Sequence, residues 1–215
     1  MNQSITAGTL VGALAARSES GWGIRIASTL FIAALTAAAA QISAPLPFTD
    51  VPFTLQPMVV VLGGLALGSR LGLASQLLYL AAGIAGLPVF AASATLPPGI
   101  LRLLGPTGGY LMAYPVAAFA AGYLAERGFD RRYITSFLSM LAGLLIIYAA
   151  GATWLGLFAR TVMPGPAIGI AAALAAGVYP FIIADLLKLL VAAGILPGLW
   201  RLTGRTNADG PHHRR

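Results

Sequence analysis

Two charged residues stand where charges are expensive. Asp185 and Lys188 lie three residues apart inside the apolar run FIIADLLKLL, a spacing that puts both side chains on one face of a helix. A charge at the middle of a membrane helix costs about 2.5–3.5 kcal/mol on insertion scales, so such groups face a protein interior. The pair is open to two readings: a structural ion pair locking its helix to neighbours, or a polar anchor for a ligand or a proton. Tyr179 and Pro180 precede it by one to two turns and predict a kink just above it. Two other stretches carry polar groups in apolar surroundings. Thr49, Asp50, Thr54 and Gln56 cluster around Phe48 and Phe53, and Thr107-Gly108-Gly109-Tyr110 opens a helix. The first amides of a helix are unsatisfied donors, and glycines let a ligand approach closely. The same glycines also suit packing against a neighbouring helix, and the aromatics suit a membrane-interface belt.

Covalent chemistry has little to work with. The chain has no cysteine, and both histidines, His212 and His213, lie in the C-terminal run NADGPHHRR. No span holds two carboxylates, and no phosphate-binding loop of the Walker type is present. These absences point to binding or transport rather than to an enzyme, with no cofactor. The tail histidines could hold a metal, but an unstructured end is expected there.

The elements that must position these residues are membrane helices. Of 215 residues, 58% are hydrophobic and 9% charged, against about a quarter charged in soluble domains. Mean hydropathy is +0.85. The net charge of +7 does not indicate nucleic acid, because the bases fall in short clusters between apolar runs. Charges and breakers divide the chain into six spans, at about 24–43, 55–68, 70–85, 107–126, 133–159 and 168–196; about 20 helical residues cross the hydrocarbon. The second and third are short and joined by a Gly68-Ser69-Arg70 turn. The connections 44–54 and 86–106 are apolar yet rich in Pro and Gly, so their backbone must lie in a cavity wall or in the headgroup region. With six spans, Arg17, Arg25, Arg70, Arg127, Arg131, Arg132, Arg201, Arg205, Arg214 and Arg215 share one side, against Arg102 and Arg160 on the other. That asymmetry predicts both termini in the cytoplasm of a plasma-membrane protein. The expected organisation is a tail over 1–23, flexible or surface-lying through residue 16, a membrane domain over 24–196, and a basic tail over 197–215. A re-entrant 161–170 stretch would set Asp185 and Lys188 nearer mid-depth. Ala33, Ala34, Ala37 and Ala38 form a small-residue strip on the first span, against which another helix can pack closely.

At this point the chain resembles the BioY family, the biotin-binding S components of energy-coupling factor (ECF) transporters. The match is carried by the run from Pro47 to Gln56, by Gly105-Pro106-Thr107-Gly108-Gly109-Tyr110, and by Tyr179-Pro180-Phe181 followed by Asp185 and Lys188. Their order and spacing cover about residues 25–196. Ile183-Ala184 replaces the family's Pro-Gly before the aspartate, which leaves the local helix shape open. The resemblance implies an all-α bundle of six transmembrane helices, of the ECF S-component type, that captures biotin externally. It implies that loop 44–54 closes over a pocket lined by Asp185, Lys188 and the Gly-Gly-Tyr opening. It further implies that Ala34 and Ala38 meet a transmembrane coupling protein joined to two ATPases, although some members work alone. Chemically, Asp185 can accept from the ureido N–H groups. Lys188, Arg102 or the amides at Thr107, Gly108 and Gly109 can hold a carbonyl or carboxylate, and Tyr110, Phe48 and Phe53 can form walls, with Gln56 adding a polar group. The competing readings are an ion-coupled secondary transporter using Asp185 as a proton site and a membrane scaffold in which the pair is only structural.

Overall fold

The computed structural model describes residues 8–93, 96–159 and 168–202. Its first helix, α1 (Leu10–Ala15), is capped by Thr9, whose hydroxyl accepts from the Gly12 amide at 3.3 Å. Leu10, Val11, Ala13 and Ala15 are buried against α2 (Gly21–Gln41). This corrects the expected loose tail: an apolar face this short gains nothing in water, but it covers the end of the bundle.

The Pro-rich stretch after α2 is a two-stranded antiparallel hairpin, β1 (Ser43–Leu46) and β2 (Thr49–Thr54). A purely helical chain was expected. In an isolated ribbon every strand has one unpaired edge, which tolerates prolines. Pro45 falls at the register irregularity between Ala44 and Leu46.

Helices α3 (Gln56–Leu67), α4 (Ser69–Ile84) and α6 (Gly108–Ala125) form the dense centre. The α3–α4 turn runs through Gly68 at φ +88°, and Glu126 Oε1 accepts from the Ser69 amide and hydroxyl, both at 2.8 Å. A carboxylate there satisfies the open start of α4 and favours the helix dipole. A Cβ on Gly64 would run into the backbone of Ala118, and one on Gly122 into that of Gly68. Helices meet backbone to backbone here, as small residues permit.

α5 (Leu101–Leu104) is a single turn in the 86–106 connection. α7 (Tyr133–Thr153) continues through a π turn, Trp154–Phe158. The helix expected over 168–196 is broken: α8 (Gly169–Gly177) and α9 (Tyr179–Ala192) are separated at Val178, whose φ of −128° and ψ of −60° leave the helix, and Pro180 follows in the first turn of α9. α10 (Ile195–Leu202) then packs back onto the bundle with Leu196 and Trp200 buried, so the folded domain runs past residue 196. Trp200 Nε1 donates to Asp130 Oδ2 at 2.6 Å, and Arg131 lies 3.9 Å above the Trp200 ring. Burial raises the Asp130 carboxyl to about 6, against the opposing pull of Trp200 and Arg131. Arg160, the 161–167 part of the expected re-entrant stretch, and the tail beyond 202 with both histidines lie outside the described residues.

The outer faces are apolar. Ile183 and Val191 on α9 are 76% and 77% exposed, and Phe31 on α2 is 63% exposed. Apolar surface of this extent suits lipid and not water. Among the described residues, Gly21–Gln41, Tyr133–Phe158 and Tyr179–Leu202 are long and apolar enough to cross a membrane, and Gln56–Leu67 is a shorter apolar helix. The protein is an all-α membrane bundle carrying one small hairpin.

Candidate functional site

Asp185 and Lys188 form a buried pair on the inward face of α9. Lys188 Nζ donates to Asp185 Oδ1 at 2.7 Å and to the Thr54 carbonyl at 2.6 Å, and lies 3.6 Å from the centre of the Phe53 ring. Phe53 in turn stacks on Phe181, with centroids 6.4 Å apart. The ammonium therefore ties the end of β2 to α9. The second carboxylate oxygen, Oδ2, accepts from the Tyr148 hydroxyl of α7 at 2.6 Å. With a cation on one oxygen and a neutral donor on the other, the carboxylate keeps lone pairs for a further donor.

Asp185 opens onto a cavity of about 240 Å³ between the hairpin, the 90–107 segment and helices α6, α7 and α9. Its walls mix apolar and aromatic groups (Val51, Phe90, Leu111, Ile147, Phe181) with a few polar ones, as small-molecule sites do. Asp50 and Thr49 of the hairpin lie on its border. Arg102 closes another side, where Nη1 donates to the Ala91 carbonyl at 2.7 Å and Nε to that of Pro97 at 3.1 Å.

Of the residues singled out from sequence, Asp185, Tyr110, Thr107, Gln56 and Arg102 line this cavity. Lys188 and Phe53 stand behind its wall and fix the hairpin. Phe48 sits at the hairpin tip, 63% exposed, and forms no wall. Gly108 and Gly109 are also absent from the lining. A Cβ on Gly108 would strike the Leu103 carbonyl, and one on Gly109 the Trp154 side chain and, at 2.6 Å, the Ala150 carbonyl. Gly108 packs the start of α6 against α5, and Gly109 packs α6 against α7. Tyr110 has a structural task too. Its hydroxyl donates to the Gly177 carbonyl at 2.9 Å, next to the break between α8 and α9. Ala34 and Ala38 face outward on α2, while Ala33 and Ala40 are buried.

Tyr148, Tyr114 and Phe90 were not legible as site residues. A tyrosine within LLIIYAAG was the available signal for Tyr148, since a hydroxyl in an apolar span needs a partner.

The family model described as the BioY family matches residues 6–205. The chain belongs to the BioY family. Among its BioY relatives, the probable biotin transporter BioY of Pyrococcus horikoshii is 44% identical over 177 residues, 82% of this chain and 94% of that protein. The biotin transporter BioY of Thermotoga maritima is 39% identical over 157 residues, 73% of this chain and 85% of that protein. The fold is that of a solved structure, the S-component for biotin from an ECF-type ABC transporter, with a TM-score of 0.73 and 24% identity over 86% of this chain and 94% of that one. These likenesses place this BioY chain in a transporter family of membrane bundles.

Proposed function

We propose that the protein is the substrate-binding membrane subunit of a transporter, capturing biotin from outside the cell and delivering it inward. The observation that carries this reading is the cavity itself. Residues from all three stretches on which the resemblance rested border one cavity, with the Asp185 carboxylate in its wall. Biotin needs acceptors for its ureido N–H groups, apolar walls for its ring sulfur and chain, and a cation or amides for its carboxylate. Asp185, the aromatic walls and Arg102 supply that set. The names of the relatives support the same ligand.

We extend the reading to six spans with both termini cytoplasmic, on the arginine asymmetry. Energy comes from two ATPases through a coupling membrane protein, which docks on the outward Ala34 and Ala38 face. A proton-coupled carrier centred on Asp185 is less favoured, because that carboxylate is already neutralised by Lys188 at 2.7 Å.

The test is a melting shift of the purified protein with biotin, with riboflavin as comparator. Biotin at 100 times its dissociation constant adds about 2.7 kcal/mol of stability. A shift with biotin alone is expected. No shift with biotin, or an equal one with riboflavin, rejects the reading. Uptake that survives ATP depletion but stops with a protonophore would favour the ion-coupled alternative.

A further inference from the structure

Three tyrosines of α6 and α7 line the cavity, and two have their hydroxyls committed. Tyr148 donates to Asp185, and Tyr110 to the Gly177 carbonyl. The third, Tyr114, lies one turn beyond Tyr110. It is 3% exposed, and among the described residues its hydroxyl makes no hydrogen bond. Gln56, also 3% exposed, has its amide nitrogen tied to the Tyr79 hydroxyl at 2.6 Å, and its amide oxygen has no partner among the described residues. Both residues line the cavity, and neither atom is sealed away from it, so both keep hydrogen-bonding capacity that a ligand can use.

The chemistry of a cyclic urea assigns them. It offers one carbonyl acceptor between two N–H donors. Asp185 accepts and cannot serve the carbonyl, and the Tyr148 and Tyr110 protons point elsewhere. We infer that the Tyr114 hydroxyl donates to the ureido carbonyl of the ligand while the Gln56 amide oxygen takes an N–H, making these two residues determinants of specificity. The inference rests on the biotin reading above.

The experiment compares wild type, Tyr114→Phe and Gln56→Met in the full-length protein, titrated with biotin and with its thiocarbonyl analogue, whose sulfur is a poor acceptor. Tyr114→Phe should leave the ligand-free melting temperature unchanged and weaken biotin about tenfold, the worth of one hydrogen bond. It should weaken the thio analogue much less, so that the wild-type preference for biotin disappears. Gln56→Met should weaken both ligands alike. Equal losses of both ligands in Tyr114→Phe, or unchanged biotin binding, would overturn the assignment while leaving the biotin reading intact. Failure of the wild type to bind biotin would instead remove the reading on which it rests.

Discussion

Replacing Lys188 with methionine isolates the role of the buried ammonium. Methionine keeps the length and apolar character of the side chain but removes three interactions: the 2.7 Å bond to Asp185, the 2.6 Å bond to the Thr54 carbonyl and the 3.6 Å approach to Phe53. Removing one side of a buried pair costs about 3–5 kcal/mol, because the other charge stays behind unpaired. Tyr148 still donates to Asp185, which places the loss near the lower end, at about 3 kcal/mol. For a chain of this size that corresponds to a fall of about 10 °C in melting temperature. The double variant Lys188→Met with Asp185→Leu should recover most of the loss, since an apolar pair of similar volume replaces the charges. Biotin binding should fall in both, in the single variant because the hairpin is no longer tied to α9, and in the double because the carboxylate is gone. Melting in mild detergent gives the stabilities, and equilibrium titration gives the binding. A single variant that melts within a degree or two of wild type, or a double variant less stable than the single, would refute the account of Lys188 as the tie between hairpin and helix.

Gly109→Ala should destabilise by about 1–3 kcal/mol, the usual effect of overpacking, because its methyl meets Trp154 and the Ala150 carbonyl; a melting curve checks it. Asp130 gives a pH dependence. Its carboxyl is raised from the ordinary 3.8 to about 6 by burial, so its contribution to stability is full below about pH 4 and is lost as pH rises through 6, a change of about 3 kcal/mol. The protein should therefore melt higher at pH 5 than at pH 7.5, and Asp130→Asn should flatten that difference. Changing Ala34 and Ala38 together to leucine should leave biotin binding by the isolated protein within twofold of wild type but abolish ATP-dependent uptake in cells, read by labelled biotin.

Much of the fold was legible because membrane helices announce themselves through charge spacing. The limits of α3, α4 and α6 were readable to within a residue or two from Gly68, Arg70, Pro106 and Glu126. The hairpin was not, since prolines at 45, 47 and 52 argue against strands unless the ribbon stands alone. The break at Val178 was foreshadowed by Pro180. The packing of α10 was hidden because Leu-Pro-Gly reads as a helix end, and its anchor is a tertiary bond from Trp200 to Asp130. At the site, Asp185 was evident from the rarity of charge in a span. The tasks of Lys188 and Tyr148 depend on which helices become neighbours. Gly108 and Gly109 illustrate the reverse problem: glycine at a helix start suits a ligand or a neighbouring helix equally well, and the positions of Leu103 and Trp154 decide.

The length of α3 has a consequence for the membrane around the protein. Its 12 residues rise about 18 Å, whereas the hydrocarbon layer is about 30 Å thick. Its Gly68 end is fixed by Glu126, which accepts from the Ser69 amide, and Arg70 follows it on the side we propose to be cytoplasmic. On that orientation, and with α3 along the membrane normal, its other end at Gln56 stops about 12 Å short of the opposite headgroup plane. With the proposed orientation, the ligand chamber is a well sunk within the thickness of the bilayer, with the hairpin on its outer side. Lipid acyl length then becomes a variable of substrate capture. A thin bilayer raises the rim of the well toward water, and a thick one submerges it, so association rates in vesicles of graded chain length should follow the membrane as well as the protein.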